Sequence, residues 1–362
     1  MPWVSTAFFL EFMPNLHIFN PETDLALGVG RDSYTPNKLI REFRSNYSLI
    51  PAIFADKGDT ILVLDSEVDK HVERPFSDLV AVKNISIVDS DQLKNMSIDF
   101  QQILPWGWNR HILRLLSSID CVRNSLPAKT KIETLRNISH RKTTVSFFTE
   151  YGNHYPGIES PRYACDLADA MRCAELSEGV CFKAPWSSSG RGVVFSDKMS
   201  HDALRKWVDG IIRNQKGVMV EPFYKRVADF ASEWISSNEE AEFLGFSLFK
   251  SSERGKYKGN ILLTQSEIRD LIFSFSKTSF GFLEHQKEFI EKFISPVYSG
   301  PLGFDMLVTE DSRVNPCVEI NIRNTMGHVA LHVSDIIHSS SEEKSEIRNI
   351  LKRYFPDNFF SL

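Results

Sequence analysis

The sequence predicts a protein of two or three domains that opens as an α/β sheet and continues as mixed α+β. Three observations carry this. Its 362 residues exceed what one compact core usually holds. Short apolar runs alternate with helical segments over roughly residues 13–125, the pattern of an open α/β domain. Residues 227–263 alternate apolar and polar side chains in three runs, the pattern of antiparallel strands.

Strands are expected at residues 16–19, 60–64 and 85–88, with Asn20-Pro21-Glu22 ending the first and Asp65 the second. Residues 37–43 read as a helix. The run Ile103-Leu104-Pro105-Trp106-Gly107-Trp108 then stops, and Asn109 is placed to cap a helix over HILRLLSSI. In open α/β sheets ligands sit beyond the carboxyl ends of the strands, which makes NPETDLALG and PWGW candidate cleft loops. Two ordinary turns would read the same way.

Helices follow at 129–137 and at 139–151, the second capped by Ser139 and running through Arg141 and Lys142. After a linker, strands are expected at 162–164, 180–184 and 193–195, with a helix at 166–176. Ser200 caps a helix to residue 214, and Gly217 releases the chain into a strand at 218–220. Asn238-Glu239 and residues 253–256 are turns between the three antiparallel strands. One long helical region spans 267–293, its Phe273, Phe275, Phe280 and Phe282 expected in core or inter-domain contact. Strands at 304–309 and 314–322 precede helices near 329–337 and 342–355.

The net charge of -5 and pI of about 6.1 argue against a nucleic-acid partner, though not against a small polyanion in a local pocket. The aromatic residues lie in apolar runs, as core packing requires. Five cysteines (Cys121, Cys165, Cys173, Cys181 and Cys317) form no CxxC pair, which fits reduced thiols and a cytoplasmic location. No apolar run approaches membrane-spanning length, so no membrane partner is expected. MPWVSTAFFLEF has no basic region before its apolar patch, so it is not read as a signal peptide. Met13 opens MPNLHIF and is expected to be the natural start, with residues 1–12 an upstream extension.

The stretch VCFKAPWSSSGRGVVF places Lys183 inside an apolar strand, where an ammonium needs an anionic partner. The loop Ser187-Ser188-Ser189-Gly190-Arg191-Gly192 can turn successive N–H groups to one point, and its small side chains admit a phosphate. A β-hairpin turn beside a snorkelling lysine is the competing reading. Neither GxxxxGK[ST] nor GxGxxG is present.

A second constellation lies in GPLGFDMLVTE and RVNPCVEINIRN. If their turn centres on Ser312, antiparallel pairing sets Asp305 opposite Glu319, with Asn321 two residues on and on the same face. Opposed carboxylates repel in a sheet, but with an amide beside them they make an oxygen-only cluster suited to Mg²⁺. A one-residue shift would send one carboxylate to solvent instead, and Pro316 favours an edge or bulge there. His328 and His332 stand four apart on a helix, but no glutamate accompanies them as in HExxH, so they are not read as a metal pair.

Between these lie an apolar strand ending in Glu221, then Asp229, then the basic loop SSERGKYKGN. Together and in this order, these features resemble the ATP-grasp superfamily over about residues 126–337, with GFD and EIN the most specific elements. The resemblance implies an ATP-grasp fold behind an N-terminal α/β domain. The expected division is 1–12 extension, 13–125 substrate-side α/β domain, 126–225 lid and central subdomain, and 226–362 C-terminal subdomain with the metal site. It implies ATP and Mg²⁺ as cofactors, with Mn²⁺ a compatible substitute.

By the same resemblance, Lys183 and Lys142 hold ATP phosphates, residues 187–192 form the phosphate loop, Glu221 lies beside the adenine and Asp229 at the ribose. Lys142 is preceded by Arg141 where the superfamily often has an acidic residue, and Asp229 stands where a glutamate is usual. Asp305, Glu319 and Asn321 correspond to the magnesium ligands, and Arg323 to a catalytic residue near the second substrate. Arg31, Arg110 and Arg323 are candidate carboxylate contacts.

The chemistry implied is ligation: a small-molecule carboxylate is phosphorylated by ATP and the acylphosphate is displaced by an amine or thiol. A small-molecule kinase and a non-catalytic nucleotide-binding protein are the alternatives. A homodimer is one compatible assembly.

Overall fold

A computed structural model describes residues 13–64, 74–176, 179–187, 192–252 and 256–361. Residues 1–12, Asp65 and the 253–255 part of the expected turn lie outside the described residues. The chain divides into two compact units whose bounds do not follow the chain linearly. Among the described residues, the first comprises those within 13–19, 38–105 and 115–126; the second comprises those within 20–37, 106–114 and 127–361. NPETDLALG and most of PWGW therefore belong with the second unit.

The first unit is built on a parallel sheet of β1 (Leu16–Ile18), β2 (Thr60–Leu62), β3 (Ser86–Val88) and β4 (Ile103–Pro105), in the order β3-β2-β1-β4. Parallel strands need crossovers, and the helices Lys38–Asn46 and Ser77–Val82 lie in them. The residues of β1 and β2 are buried throughout, which is why those runs read as apolar rather than alternating. His17 and Asp59 meet at 2.8 Å inside this unit, and burial outweighs that contact to lower the imidazole's pKa.

The second unit contains two sheets. The smaller joins β5 (Arg162–Ala164), β6 (Val180–Lys183), β7 (Val193–Phe195) and β8 (Val218–Pro222) in the order β5-β8-β6-β7, all antiparallel. Helices Leu167–Leu176 and His201–Gln215 cover it, burying Met171, Leu204 and Val208 against Phe182 and Val220. Ser200 caps the second helix, its hydroxyl accepting from Ala203 N. Gly217 is required after it, because a Cβ there would overlap the Tyr163 ring.

The larger sheet has the order β13-β12-β9-β10-β11-β14, from β9 (Arg226–Ser237), β10 (Glu240–Ser251), β11 (Tyr257–Ile261), β12 (Gly300–Thr309), β13 (Val314–Asn321) and β14 (Phe359–Phe360). Asn238 and Glu239 both adopt positive φ, 49° and 66°, the conformation of a tight hairpin turn. Trp234, Phe304 and Cys317 of this sheet pack with Phe147 and Phe289 in a common core.

Three expectations need correction. Ser139 does not cap the next helix; it ends the helix Lys129–Ile138, and residues 139–142 form a turn before the helix Thr143–Tyr151. The cause is a contact from far along the chain: Arg141 N donates to Pro185 O instead of to a helical carbonyl. The long helical region is two helices, Gln265–Ser276 and Phe282–Phe289, parted where Lys277 and Phe280 take positive φ. Phe282 is buried as expected, whereas Phe273 and Phe275 are exposed. Among the described residues, no helix is long and apolar enough to cross a membrane.

Candidate functional site

The β12–β13 turn runs from Thr309 to Arg313, so it centres on Asp311 and not on Ser312, although Ser312 takes φ 65°. That turn alone would set Asp305 opposite Cys317; a slip in register nevertheless brings Asp305 to face Glu319, and Gly303 to face Asn321. The register slips between Asp305 and Leu307, opposite the stretch containing Pro316, so the irregularity falls where proline was expected to put it. β13 is an edge strand of its sheet.

Two opposed carboxylates do not ionise alike here. Burial, then the charges of Glu319 and Glu233, push Asp305 far above the ordinary carboxylate range, to about 8. Burial also presses Glu319 upward, but the Arg141 guanidinium and then Lys183 and Arg323 outweigh it, and its pKa falls. In the metal-free molecule the pair therefore holds one proton and one charge at neutral pH.

Arg141 is the residue that the sequence reading assigned no role. It is buried, and its Nη2 donates to Glu319 Oε1 at 2.7 Å. Its Nη1 donates to Ala184 O at 2.6 Å and to the Ser187 hydroxyl, and Nη2 also reaches Ser187 O at 3.3 Å. One guanidinium thus ties the start of the serine–glycine loop to the carboxylate pair. Lys142, its neighbour, is exposed at the start of the following helix.

Lys183 is buried as its apolar strand demanded, and its partner in this structure is Glu221, with Nζ 2.5 Å from Oε2. Cys181 pairs with Glu221 across β6 and β8, so Lys183 is the diagonal neighbour on the same face. Burial alone would lower the lysine's pKa; the Glu221 charge reverses this and raises it. Oε1 of Glu221 is buried with no hydrogen-bond partner among the described residues. An orphaned acceptor of this kind is costly unless a ligand donor meets it.

Arg323 follows β13. Its Nε donates to Asp24 Oδ2 at 2.8 Å, its Nη2 to Asn321 Oδ1 at 2.9 Å and its Nη1 to Asn324 O at 2.9 Å. Below it, Glu233 is almost fully buried and accepts from the hydroxyls of Ser247 and Thr325, both at 2.9 Å. Gly327 is required there, since a Cβ would overlap the Glu233 carboxylate. His328, one of the pair set aside as metal ligands, lies 3.1 Å from Glu233 and belongs to this support.

Ser187 and Gly192 bound the serine–glycine loop. Ala184 N donates to Gly192 O at 2.8 Å, and Gly192 takes φ 73°, closing the loop's base. Ser188, Ser189, Gly190 and Arg191 lie outside the described residues. Asp229 pairs with Arg226 at 3.0 Å; burial raises its pKa against that pairing. Arg110 is engaged by Asp32 and Glu133, and Arg31 is exposed.

Among the described residues no three His, Cys, Asp or Glu side chains cluster as a metal site. The candidate set is two carboxylates and an amide. Its chemistry fits a hard divalent cation: hard oxygen donors, and like charges set opposite each other so that burial forces a proton onto one of them.

No protein-family model matches the chain, and no curated protein matches it in sequence. Solved structures do match. The biotin carboxylase–β-γ-ATP complex from Campylobacter jejuni is 15% identical, with a TM-score of 0.53 over 94% of this chain and 70% of that one. The biotin carboxylase domain dimer of Hydrogenobacter thermophilus 2-oxoglutarate carboxylase, in complex with MgADP, ADP and bicarbonate, is 13% identical, with a TM-score of 0.52 over 94% and 70%. Rhizobium etli pyruvate carboxylase is 12% identical, with a TM-score of 0.51 over 92% of this chain and 28% of that one. At these identities the likeness is one of fold.

Proposed function

Because the chain has the ATP-grasp fold, we propose that it is an ATP- and Mg²⁺-dependent ligase that activates a small-molecule carboxylate for attack by an amine or thiol. The observation that carries this reading is the opposed Asp305–Glu319 pair, with Arg141, Lys183 and Arg323 acting on the charge of Glu319.

The chemistry asks little covalent work of the protein. A carboxylate oxygen attacks the γ-phosphorus of ATP and ADP departs, giving an acylphosphate. The nucleophile then attacks the acyl carbon, inorganic phosphate leaves, and the nucleophile's proton passes to solvent. Positioning and charge stabilisation supply the rate.

Each residue has a part in this reading. Lys183 exchanges Glu221 for a nucleotide phosphate. Glu221, with its unpartnered Oε1, is left to accept from the adenine amino group. Asp229 accepts from the ribose. The loop from Ser187 to Gly192 (with Ser188, Ser189, Gly190 and Arg191) offers backbone N–H groups to the phosphates. Arg141 takes the place expected of Lys142, holding the loop's start against Glu319. Asp305, Glu319 and Asn321 would hold Mg²⁺, which when bound neutralises phosphate charge. Arg323 faces the transferred phosphoryl group or the second substrate.

Calorimetric titration of Mg-ATP into the protein, then phosphate-release assays over pairs of carboxylates and amines, test the reading. Release that requires both co-substrates supports a ligase. A stable phosphorylated product from one substrate means a kinase, and absence of Mg-ATP binding overturns the nucleotide site itself.

A further inference from the structure

The two loops that the sequence marked as cleft candidates, NPETDLALG and PWGW, converge on Arg323. Asn20 Nδ2 donates to Gly107 O at 2.7 Å, and Asn109 Nδ2 donates to the Thr23 hydroxyl at 3.1 Å. Gly107 admits this approach, because a Cβ there would overlap Thr23. Asn324 N donates to Trp106 O at 2.9 Å, which joins the chain after β13 to the same cluster. The cluster fixes the start of the helix Thr23–Val29, where Asp24 stands.

We propose that Asp24 is a positioning residue for the metal site: it holds Arg323 toward the Asn321 amide and away from the Asp305–Glu319 pair. The inference rests on the function proposed above. A guanidinium has five N–H donors. Asp24 Oδ2 accepts from Nε at 2.8 Å and lies 2.8 Å from Nη2 as an ion pair, Asn321 Oδ1 accepts from Nη2, and Asn324 O accepts from Nη1. Among the described residues these bonds still leave an Nη1 hydrogen for an incoming acceptor. They also leave Asn321 Oδ1 a lone pair, on an amide held from one side by Arg323 and from the other by its hydrogen bond to Asp305.

Such outer partners fix where a ligand oxygen points. Arg323 is close enough to feel the charges of Glu319 and Asp305 as well as Asp24. With Asp24 neutralised, the strongest remaining negative charges acting on Arg323 are those two carboxylates. Arg323 would then fall on them as an internal cation and compete with the metal. The Asp24 carboxylate prevents this.

The test uses Mn²⁺ as the probe, with ADP present, and reads metal affinity by electron paramagnetic resonance on wild type, Asp24→Asn, Asp24→Glu, Arg323→Gln and the Asp24→Asn/Arg323→Gln double variant. Asp24→Asn should weaken Mn²⁺ binding by about tenfold or more. Asp24→Glu should recover part of the loss. The double variant should bind Mn²⁺ within about threefold of Arg323→Gln alone, because the competitor has gone. If Asp24→Asn binds as wild type does, or the double variant stays as weak as Asp24→Asn, Asp24 has no such role. Should wild type bind neither Mn²⁺ nor ADP, the proposed function fails first and takes this inference with it.

Discussion

The second unit contains two charged pairs across neighbouring strands, and they are opposite in kind. On the smaller sheet, Lys183 and Glu221 are diagonal neighbours of opposite sign, 2.5 Å apart, and their charges balance, although Glu221 Oε1 keeps no partner among the described residues. On the larger sheet, Asp305 and Glu319 face each other with the same sign. The first pair is closed, and in the proposed function it must open for a phosphate to enter. The second is incomplete, a poor arrangement for a sheet and a good one for a divalent cation. Arg141 mediates between the two regions, since it binds both the loop after Lys183 and Glu319.

The largest effect should come from breaking the incomplete pair. Asp305→Asn is expected to remove the Mg²⁺-dependent part of nucleotide binding, a loss of about a hundredfold or more by calorimetry. The same change should help the empty protein. Asp305 keeps its proton to about pH 8 in the folded chain, whereas the unfolded chain gives it up in the ordinary carboxylate range. Between those limits the folded state binds more protons, so this group's contribution to metal-free stability falls as pH rises. Urea melts at about pH 5 and about pH 8 should show that loss in wild type and a smaller one in Asp305→Asn. An equal slope in both proteins would place the charge elsewhere.

Opening the closed pair comes next. Lys183→Ala leaves Glu221 buried without its cation and should cost about 3 kcal/mol of stability, with Mg-ATP affinity down about tenfold. Pairing Lys183→Met with Glu221→Gln removes both charges. That variant should recover most of the stability and none of the affinity, which separates the lysine's structural role from its proposed role toward phosphate. Recovery of both would mean that the lysine serves only the sheet.

How far the sequence reached depends on the range of the contact. The Asp305–Glu319 pairing was legible, but its geometry was not: the turn centres on Asp311, and the irregularity beside Pro316 supplies the shift that a centre at Ser312 was expected to give. Lys183 was legible because an apolar strand makes a lysine conspicuous, although Glu221 as its partner was not foreseen. Asp24 and Arg323 lie 299 residues apart, and no local pattern links them. The helix break at Lys277–Gly281 was missed because its residues carry no proline, and Lys277, an exposed lysine, ends the helix in the left-handed conformation usually left to glycine or asparagine, its N–H donating to Phe273 O. Arg141 was missed for a subtler reason. Within a turn, which of two adjacent basic residues points inward depends on backbone direction, and the expected helix through 139–151 put the chain in the wrong phase.

That last difference gives the smallest expected effect and the sharpest discrimination. Lys142 is exposed, while Arg141 is buried between Ala184 O, Ser187 and Glu319. If the inward cation does the work, Lys142→Ala should change Mg-ATP affinity by less than about threefold, as surface charges do through screened interactions. Arg141→Lys keeps the charge but loses the fork that reaches the loop and Glu319 together, and should cost about tenfold. Measured side by side by calorimetry, the two variants rank the residues directly. A tenfold loss from Lys142→Ala would return the phosphate role to the residue that the ATP-grasp resemblance implied. Arg141 would then serve only to brace the loop's base.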